Sequence, residues 1–332
     1  MVDIAAAKAL VLKANAALDA AGPDEVAAVL SAFVANDYRW RGMHPFHEQT
    51  GLEAVADVFW SPLKQAMGPV QRRSDIFMAG LNQLDDWSTT WVVEMGHLMG
   101  LWDHPWLNFK PSEKLVFLRY CEFHRIEDGK IAETAMYVDI LNFLSLSGYV
   151  TVPSVTGVEL LSPGPKTHDG LLCSEHPPEE GRTTVELISA MVTDLRENIV
   201  HSPGNHINTF WTDDMNWFGP GGIGASGFKH GYRRGHAGPF EEGLEYVRHT
   251  EHVTRIGEGM FGGFFGYPSL TMRSKGYLGL PPSDVPADMR IVDLYRREGD
   301  KLAENWIFID MPHFLAMQGI DILEQIRRSA DG

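Results

Sequence analysis

Residues 111–148 align without a gap with residues 282–319, at a constant offset of 171 (282 − 111 and 319 − 148 agree). Identical pairs include Ser112/Ser283, Arg119/Arg290, Arg125/Arg296, Lys130/Lys301, Glu133/Glu304, Asp139/Asp310, Phe143/Phe314 and Gly148/Gly319. Conservative pairs include Glu122/Asp293, Tyr137/Phe308, Val138/Ile309 and Leu146/Met317. Such density at one register marks an internal duplication of domain size, not a solenoid, whose repeats run about 20–50 residues. The 332 residues therefore read as two domains of like fold, each long enough to bury its own core.

Charge narrows the partners. At −16 the chain repels phosphate backbones, and basic clusters such as Arg72-Arg73 and Arg233-Arg234 are short and isolated, so nucleic acid is not expected. Two cysteines, Cys121 and Cys173, make no disulfide framework and fit a reducing cytoplasm. The apolar N-terminus is interrupted by Asp3, Lys8 and Lys13, and no apolar run of about 18 residues follows, so neither a leader nor a membrane span is expected.

Periodicity places helices at 3–20 and 24–35, broken at Gly22-Pro23-Asp24, and a third within 50–67 that Pro62 kinks or ends. Strands are expected at Ile76–Leu81, Thr89–Met95, Leu115–Arg125 and Lys130–Asp139. Prolines 153, 163, 165, 177 and 178 suggest a linker, giving domains 1–152 and 183–332 with a connection at 153–182. The second half restarts with a helix at Thr184–Val200 and an aromatic strand at Phe210–Trp217. A Gly-rich loop at 219–238, a helix near Phe240–His249 and strands from about His252 onward complete it. Both halves run helices first, then antiparallel sheet, which is the α+β class.

Chemistry concentrates in the last hairpin. Glu298-Gly299-Asp300 turns the chain into a strand on which Glu304, Trp306, Phe308 and Asp310 share one face and Asn305, Ile307 and Ile309 the other. Two acids flanking two aromatics suit a lined pocket with a proton-transfer group at its rim. The same pattern suits core packing, with Asp139 and Asp310 as helix caps. Gly222-Ile223-Gly224-Ala225-Ser226-Gly227 satisfies G-x-G-x-x-G, but no helix is expected to open there, and a mobile loop is the better reading. His249 and His252, like His44 and His47, lack the spacing of a zinc helix, so no metal site is expected. No G-x-S-x-G elbow supports a nucleophilic serine.

The ordered motifs resemble the SnoaL-like polyketide cyclase family of the nuclear transport factor 2-like superfamily. They are Asp37…Trp40…His44-Pro45, Asp214…Trp217, Gly96-His97…Gly100, Pro111–Lys114, Gly276–Ser283 and above all Glu304-Asn305-Trp306…Asp310…Gln318-Gly319. The resemblance implies two tandem cone-shaped α+β domains, each a curved antiparallel sheet wrapped around N-terminal helices. It implies an internal pseudo-dimer, with a further homodimer left open. It also implies acid/base chemistry on a hydrophobic carbonyl compound, such as aldol cyclisation, isomerisation or dehydration, without metal or organic cofactor. By position the acid/base residue is Asp310, with Asp139 its counterpart. His313, His236 or, in the first half, His97 would donate to an enolate oxygen, and Trp306, Phe308 and Trp217 would wall the pocket. Tyr137 and Trp40 would be the corresponding lining of the first half. A non-catalytic binding protein and an association module with filled pockets are the rival expectations.

Overall fold

The computed structural model describes residues 3–174, 176–198 and 205–331. The chain divides into two compact units: residues 1–138 with 166–175, and residues 139–165 with 176–332.

In the first unit α1 (Ile4–Ala20) starts at Asp3, whose carboxylate accepts the Ala5 N–H at 2.9 Å. Ala7, Val11, Ala14 and Leu18 recur at helical spacing and are buried against β3 and β4. A short α2 (Val26–Leu30) follows, and then the chain extends into β1 (Val34–Gly42) and β2 (Glu48–Thr50). The helix expected to reach residue 35 stops at Leu30 because Val34 is claimed by the sheet, opposite Ile131. One helical run then holds α3 (Leu52–Val55), a π turn (Ala56–Trp60) and α4 (Ser61–Met67). Pro62 sits at the start of α4, where its missing N–H matters least, and the wider turn precedes it. The strands β3 (Gln71–Leu81), β4 (Thr90–Leu101), β5 (Leu115–Glu127) and β6 (Lys130–Val138) form an antiparallel meander, and the sheet order is β2-β1-β6-β5-β4-β3. β1 joins β6 in parallel.

The second unit repeats this plan. It opens with α5 (Ile140–Leu146), continues through α6 (Pro178–Asn198) and α7 (Asn205–Phe210), and enters β7 (Trp211–Phe218) and β8 (Ala225–Gly227). Next come α8 (Phe228–Tyr232), a π turn (Arg233–Ala237) and α9 (Gly238–Gly243). The remaining elements are β9 (Leu244–His249), β10 (Thr254–Glu258), β11 (Phe261–Ser274), β12 (Ser283–Glu298), β13 (Lys301–Ile309), α10 (Met311–Met317) and α11 (Ile322–Asp331). The sheet order β10-β11-β12-β13-β7-β8, with β9 also on β11, mirrors the first unit, including the parallel β7–β13 pair. The α6 residues Val185, Ile188, Met191 and Val192 are buried, and the helix lies on β10 and β11.

Four further expectations change. The Gly-rich stretch 219–238 is largely helical from Phe228 onward, because tertiary stacking of His236 on Trp217 (3.8 Å between ring centres) outweighs the weak helix propensity of glycine. Residues 244–249 are a strand, held by pairing of His249 with Leu270 of β11. The stretch 153–182 is not a free linker. Phe77 of β3 exchanges backbone hydrogen bonds with Gly170 and Leu172, both at 2.8 Å, and Val158 does so with Ala225 at 2.8 and 2.9 Å. The helix expected at 184–200 begins earlier, at Pro178, and residues 199 and 200 lie outside the described residues. Among the described residues no helix is long and apolar enough to cross a membrane.

Candidate active site

The second unit contains a cavity of ≈ 80 Å³ between α6 and its sheet. β12 supplies one wall through Ile291, Asp293 and Tyr295, three residues that alternation puts on one face. Phe264, directly opposite Asp293 on β11, and Tyr246 and His249 of β9 extend it. Met191, Val192, Leu195 and Arg196, one face of α6, close the other side, and His252 enters from the connection between β9 and β10. Apolar side chains from α6, β11 and β12 surround a few polar groups, the usual composition of a small-molecule site.

Asp293 is 7% exposed and has no cation paired to it among the described residues. Burial pushes its carboxyl up to about 7, against the hydrogen bonds from Asn305 Nδ2 (3.0 Å) and from the Tyr295 hydroxyl, which favour the charged form. Burial also raises the Tyr295 phenol, and the neighbouring Asp293 adds to the rise. The imidazoles go the other way. Burial and then Arg196 push His249 down to about 4. Burial, Arg255 and Arg196 hold His252 far below its ordinary range, so both rings are neutral at pH 7. His252 stacks flat on Phe264 (3.8 Å, 9°), with its Nδ1 3.2 Å from Arg255 Nη2. Arginine can only donate, so Nδ1 accepts and the His252 proton sits on Nε2. Arg196 makes a two-pronged pair with Glu251 at 3.0 and 3.2 Å.

The expected acid/base residues lie elsewhere. Asp310 is fully buried and caps α10: its Oδ1 accepts the His313 N–H at 3.1 Å, and its Oδ2 is 3.4 Å from Arg290 Nη1. His313 thus meets Asp310 through its backbone. Asp139 caps α5 through the Asn142 N–H at 3.1 Å, and both its oxygens also accept the Gly221 N–H at 3.1 Å. Neither aspartate lines the cavity. The physical reason is the pleat: Asn305 opposes Tyr295 and reaches Asp293, so the cavity face of β13 is that of Asn305, Ile307 and Ile309. Trp306 and Phe308 project to the opposite face, where Trp306 stacks on Phe218 (5.7 Å) and donates to Pro163 O at 2.8 Å. Trp217 and His236 stack on each other beside Tyr232, apart from the cavity lining.

In the first unit Trp40 packs against Phe46 and Phe59, Tyr137 is fully buried, and His97 lies 3.4 Å from Asp75. The counterpart of Asp293 is Glu122, whose carboxylate is 2.7 Å from the Arg72 guanidinium. Arg72 also faces Glu94 and Asp19, each at 3.5 Å, and lies 5.0 Å from the centre of the Tyr120 ring. Asn15 and Ser74 donate to Glu94. A buried ion network thus occupies the ground that the cavity holds in the second unit.

The glycine motif does follow a strand and precede a helix, contrary to the loop expectation. Yet its amides are taken: Gly222 N–H by Glu159 at 2.6 Å, Gly224 N–H by Pro220 O and Ala225 N–H by Val158 O, both at 2.8 Å, while the Gly221 N–H just before the motif goes to Asp139. Among the described residues no group of three His, Cys, Asp or Glu side chains could hold a metal ion.

Sequence reasoning missed Asp293, Tyr295, His249, His252, Tyr246 and Arg196 as site residues. Two signals pointed to them: the Glu122/Asp293 pair inside the duplication, and the His249/His252 spacing once it is seen to leave a strand.

Residues 11–134 match the family model described as the SnoaL-like domain. Among solved structures, a candidate SnoaL-like polyketide cyclase from Jannaschia is 18% identical, with a TM-score of 0.35, over 42% of this chain and 93% of its own. AclR, a candidate hydroxylase from Streptomyces galilaeus, is 16% identical (TM-score 0.35) over 44% of this chain and 98% of its own. IdmH, a candidate polyketide cyclase from Streptomyces antibioticus, is 14% identical (TM-score 0.34) over 41% and 97%. No curated protein matches the chain. Residues 11–134 thus form a SnoaL-like domain, and both units are of the α+β class.

Proposed function

We propose that the second unit is an acid–base enzyme acting on a small carbonyl compound, with Asp293 as the group that carries the proton. The observation behind this is a carboxyl that is buried and unpaired with any cation, faces a cavity and is pushed up to about 7. A base is most effective when its pKa lies near the working pH, and desolvation is what puts it there. Asn305 and Tyr295 hold the carboxylate in place. The carboxylate takes a proton from carbon next to the carbonyl, and a neutral imidazole N–H from the cavity wall supports the oxygen that becomes negative. Isomerisation, dehydration and aldol closure all begin with this step. At ≈ 80 Å³ the cavity favours a small compound, since pockets for drug-sized ligands measure about 300–1,000 Å³.

Hydrogen–deuterium exchange at the α-carbon of small ketones, followed by NMR, tests the proposal. Exchange should rise with pH through an apparent pKa near 7. Asp293→Asn should slow it about 10²–10⁴-fold, while Asp310→Asn leaves it intact. The opposite pattern for the two variants would overturn the assignment. Binding without exchange would make the cavity that of a carrier. For the first unit, whose corresponding space is filled by Arg72 and its partners, a purely structural role fits better.

A further inference from the structure

We propose that this cavity takes its substrate as an anion: a small oxo carboxylate whose carboxyl oxygens are received by Arg196, His249 and Ser269. The inference rests on the proton-transfer reading for the fate of the neighbouring carbon, but not for the binding itself.

Three side chains in the lining carry buried polar atoms with no hydrogen-bond partner among the described residues: Arg196 at Nε, His249 at both ring nitrogens, and Ser269 at Oγ. The Arg196 case is specific. Its two terminal nitrogens are engaged by Glu251, leaving Nε–H as a bare donor at the cavity wall. A neutral imidazole offers one N–H, and a serine hydroxyl can turn to offer another proton. Buried donors without acceptors are costly and rare in folded chains, and a cluster of them around a cavity describes the shape of an absent acceptor. A carboxylate only accepts, at about four lone-pair positions, so it can satisfy all three together. A lone ketone oxygen, with two, leaves at least one donor bare.

Charge agrees. Arg196 and Arg255 both face Glu251, whose carboxylate is 58% exposed and so screened by solvent, which leaves the cavity side of Arg196 favourable to an anion. Among the described residues Asp293 is the one acid in the cavity lining. A carboxylate at Arg196 and an acidic carbon at Asp293 together describe an oxo acid, in which the carbonyl makes the carbon acidic and the carboxylate fixes its position.

Calorimetric titration of the full chain at pH 7.5 with acetoacetate and with its uncharged methyl ester decides the matter. Wild type should bind the acid at least tenfold more tightly than the ester. Arg196→Gln and His249→Phe should each remove most of that preference while keeping ester affinity. Glu251→Gln, which frees the guanidinium, should increase acetoacetate affinity, a gain that misfolding cannot imitate. Equal affinity for acid and ester, binding of neither, or displacement of acetoacetate by equimolar inorganic phosphate would overturn the inference. Asp293→Asn separates the two proposals. If the acid preference persists while carbon exchange is unaffected by Asp293→Asn, the anion site stands and the proton-transfer assignment falls. If exchange depends on Asp293 but acid and ester bind alike, only the anion site falls.

Discussion

Glu122 of β5 and Asp293 of β12 stand at matching positions of the two sheets, 171 residues apart (293 − 122). Each faces a residue directly across the pair: Glu94 for Glu122, Phe264 for Asp293. In the first unit two like charges meet across the ladder, which would be destabilising alone, and Arg72 compensates both. In the second unit the opposing acid has become a phenyl ring, no cation among the described residues pairs with Asp293, and the remaining carboxyl is desolvated by burial. One substitution across the ladder and one missing guanidinium turn an acid at the same strand position from a member of an ion network into a carboxyl whose pKa burial raises. A carboxyl's chemistry here depends less on its strand position than on what stands opposite it.

The comparison breaks first at Arg72. Arg72→Met leaves Glu94 and Glu122 buried without their counter-charge, and should destabilise the first unit by about 3–5 kcal/mol. Denaturant titration should show this as an earlier unfolding step, and an unchanged midpoint would mean that the network contributes nothing.

The pH dependence of the second unit sharpens the contrast. Between about pH 4 and 7 folded Asp293 holds a proton that its unfolded counterpart has lost, so folding weakens as pH rises through that window, and the full cost persists above 7. Asp293→Asn removes the cost and should stabilise the protein at pH 8 by on the order of 3 kcal/mol, with little change at pH 4. Thermal melts at the two pH values give the answer, and a variant no more stable at pH 8 would show that Asp293 is already relieved of its burial.

The smallest effect concerns the two caps. Each aspartate holds a second contact besides its cap, Asp310 the Arg290 guanidinium and Asp139 the Gly221 N–H, so each Asp→Ala change should cost about 2 kcal/mol. Losses below about 0.5 kcal/mol in urea titrations would mean that neither the caps nor these contacts stabilise the fold.

The duplication, the helix-then-sheet order and the strand positions are legible because period-two alternation and turn residues survive in the bare chain. The alternative of caps for Asp139 and Asp310 was also visible, since each precedes a short apolar helix. What the residues hide is which face of β13 meets the cavity. Leu302 to Asp310 is buried throughout, so hydrophobicity does not distinguish the faces. The aromatics Trp306 and Phe308 drew attention to one side, while a single asparagine among isoleucines marked the other. His249 was hidden for another reason: its segment reads as a helix until β11 pairs with it. The division into units was hidden too, because residues 139–165 follow the first repeat in sequence but belong to the second unit in space.

Backbone amides gathered in a glycine turn are where phosphate esters commonly settle. In this molecule Gly221 and Gly222 surrender theirs to Asp139 and Glu159. The chain has thereby seated its own negative charges in that berth. An incoming phosphate ester would meet repulsion there instead of a cradle.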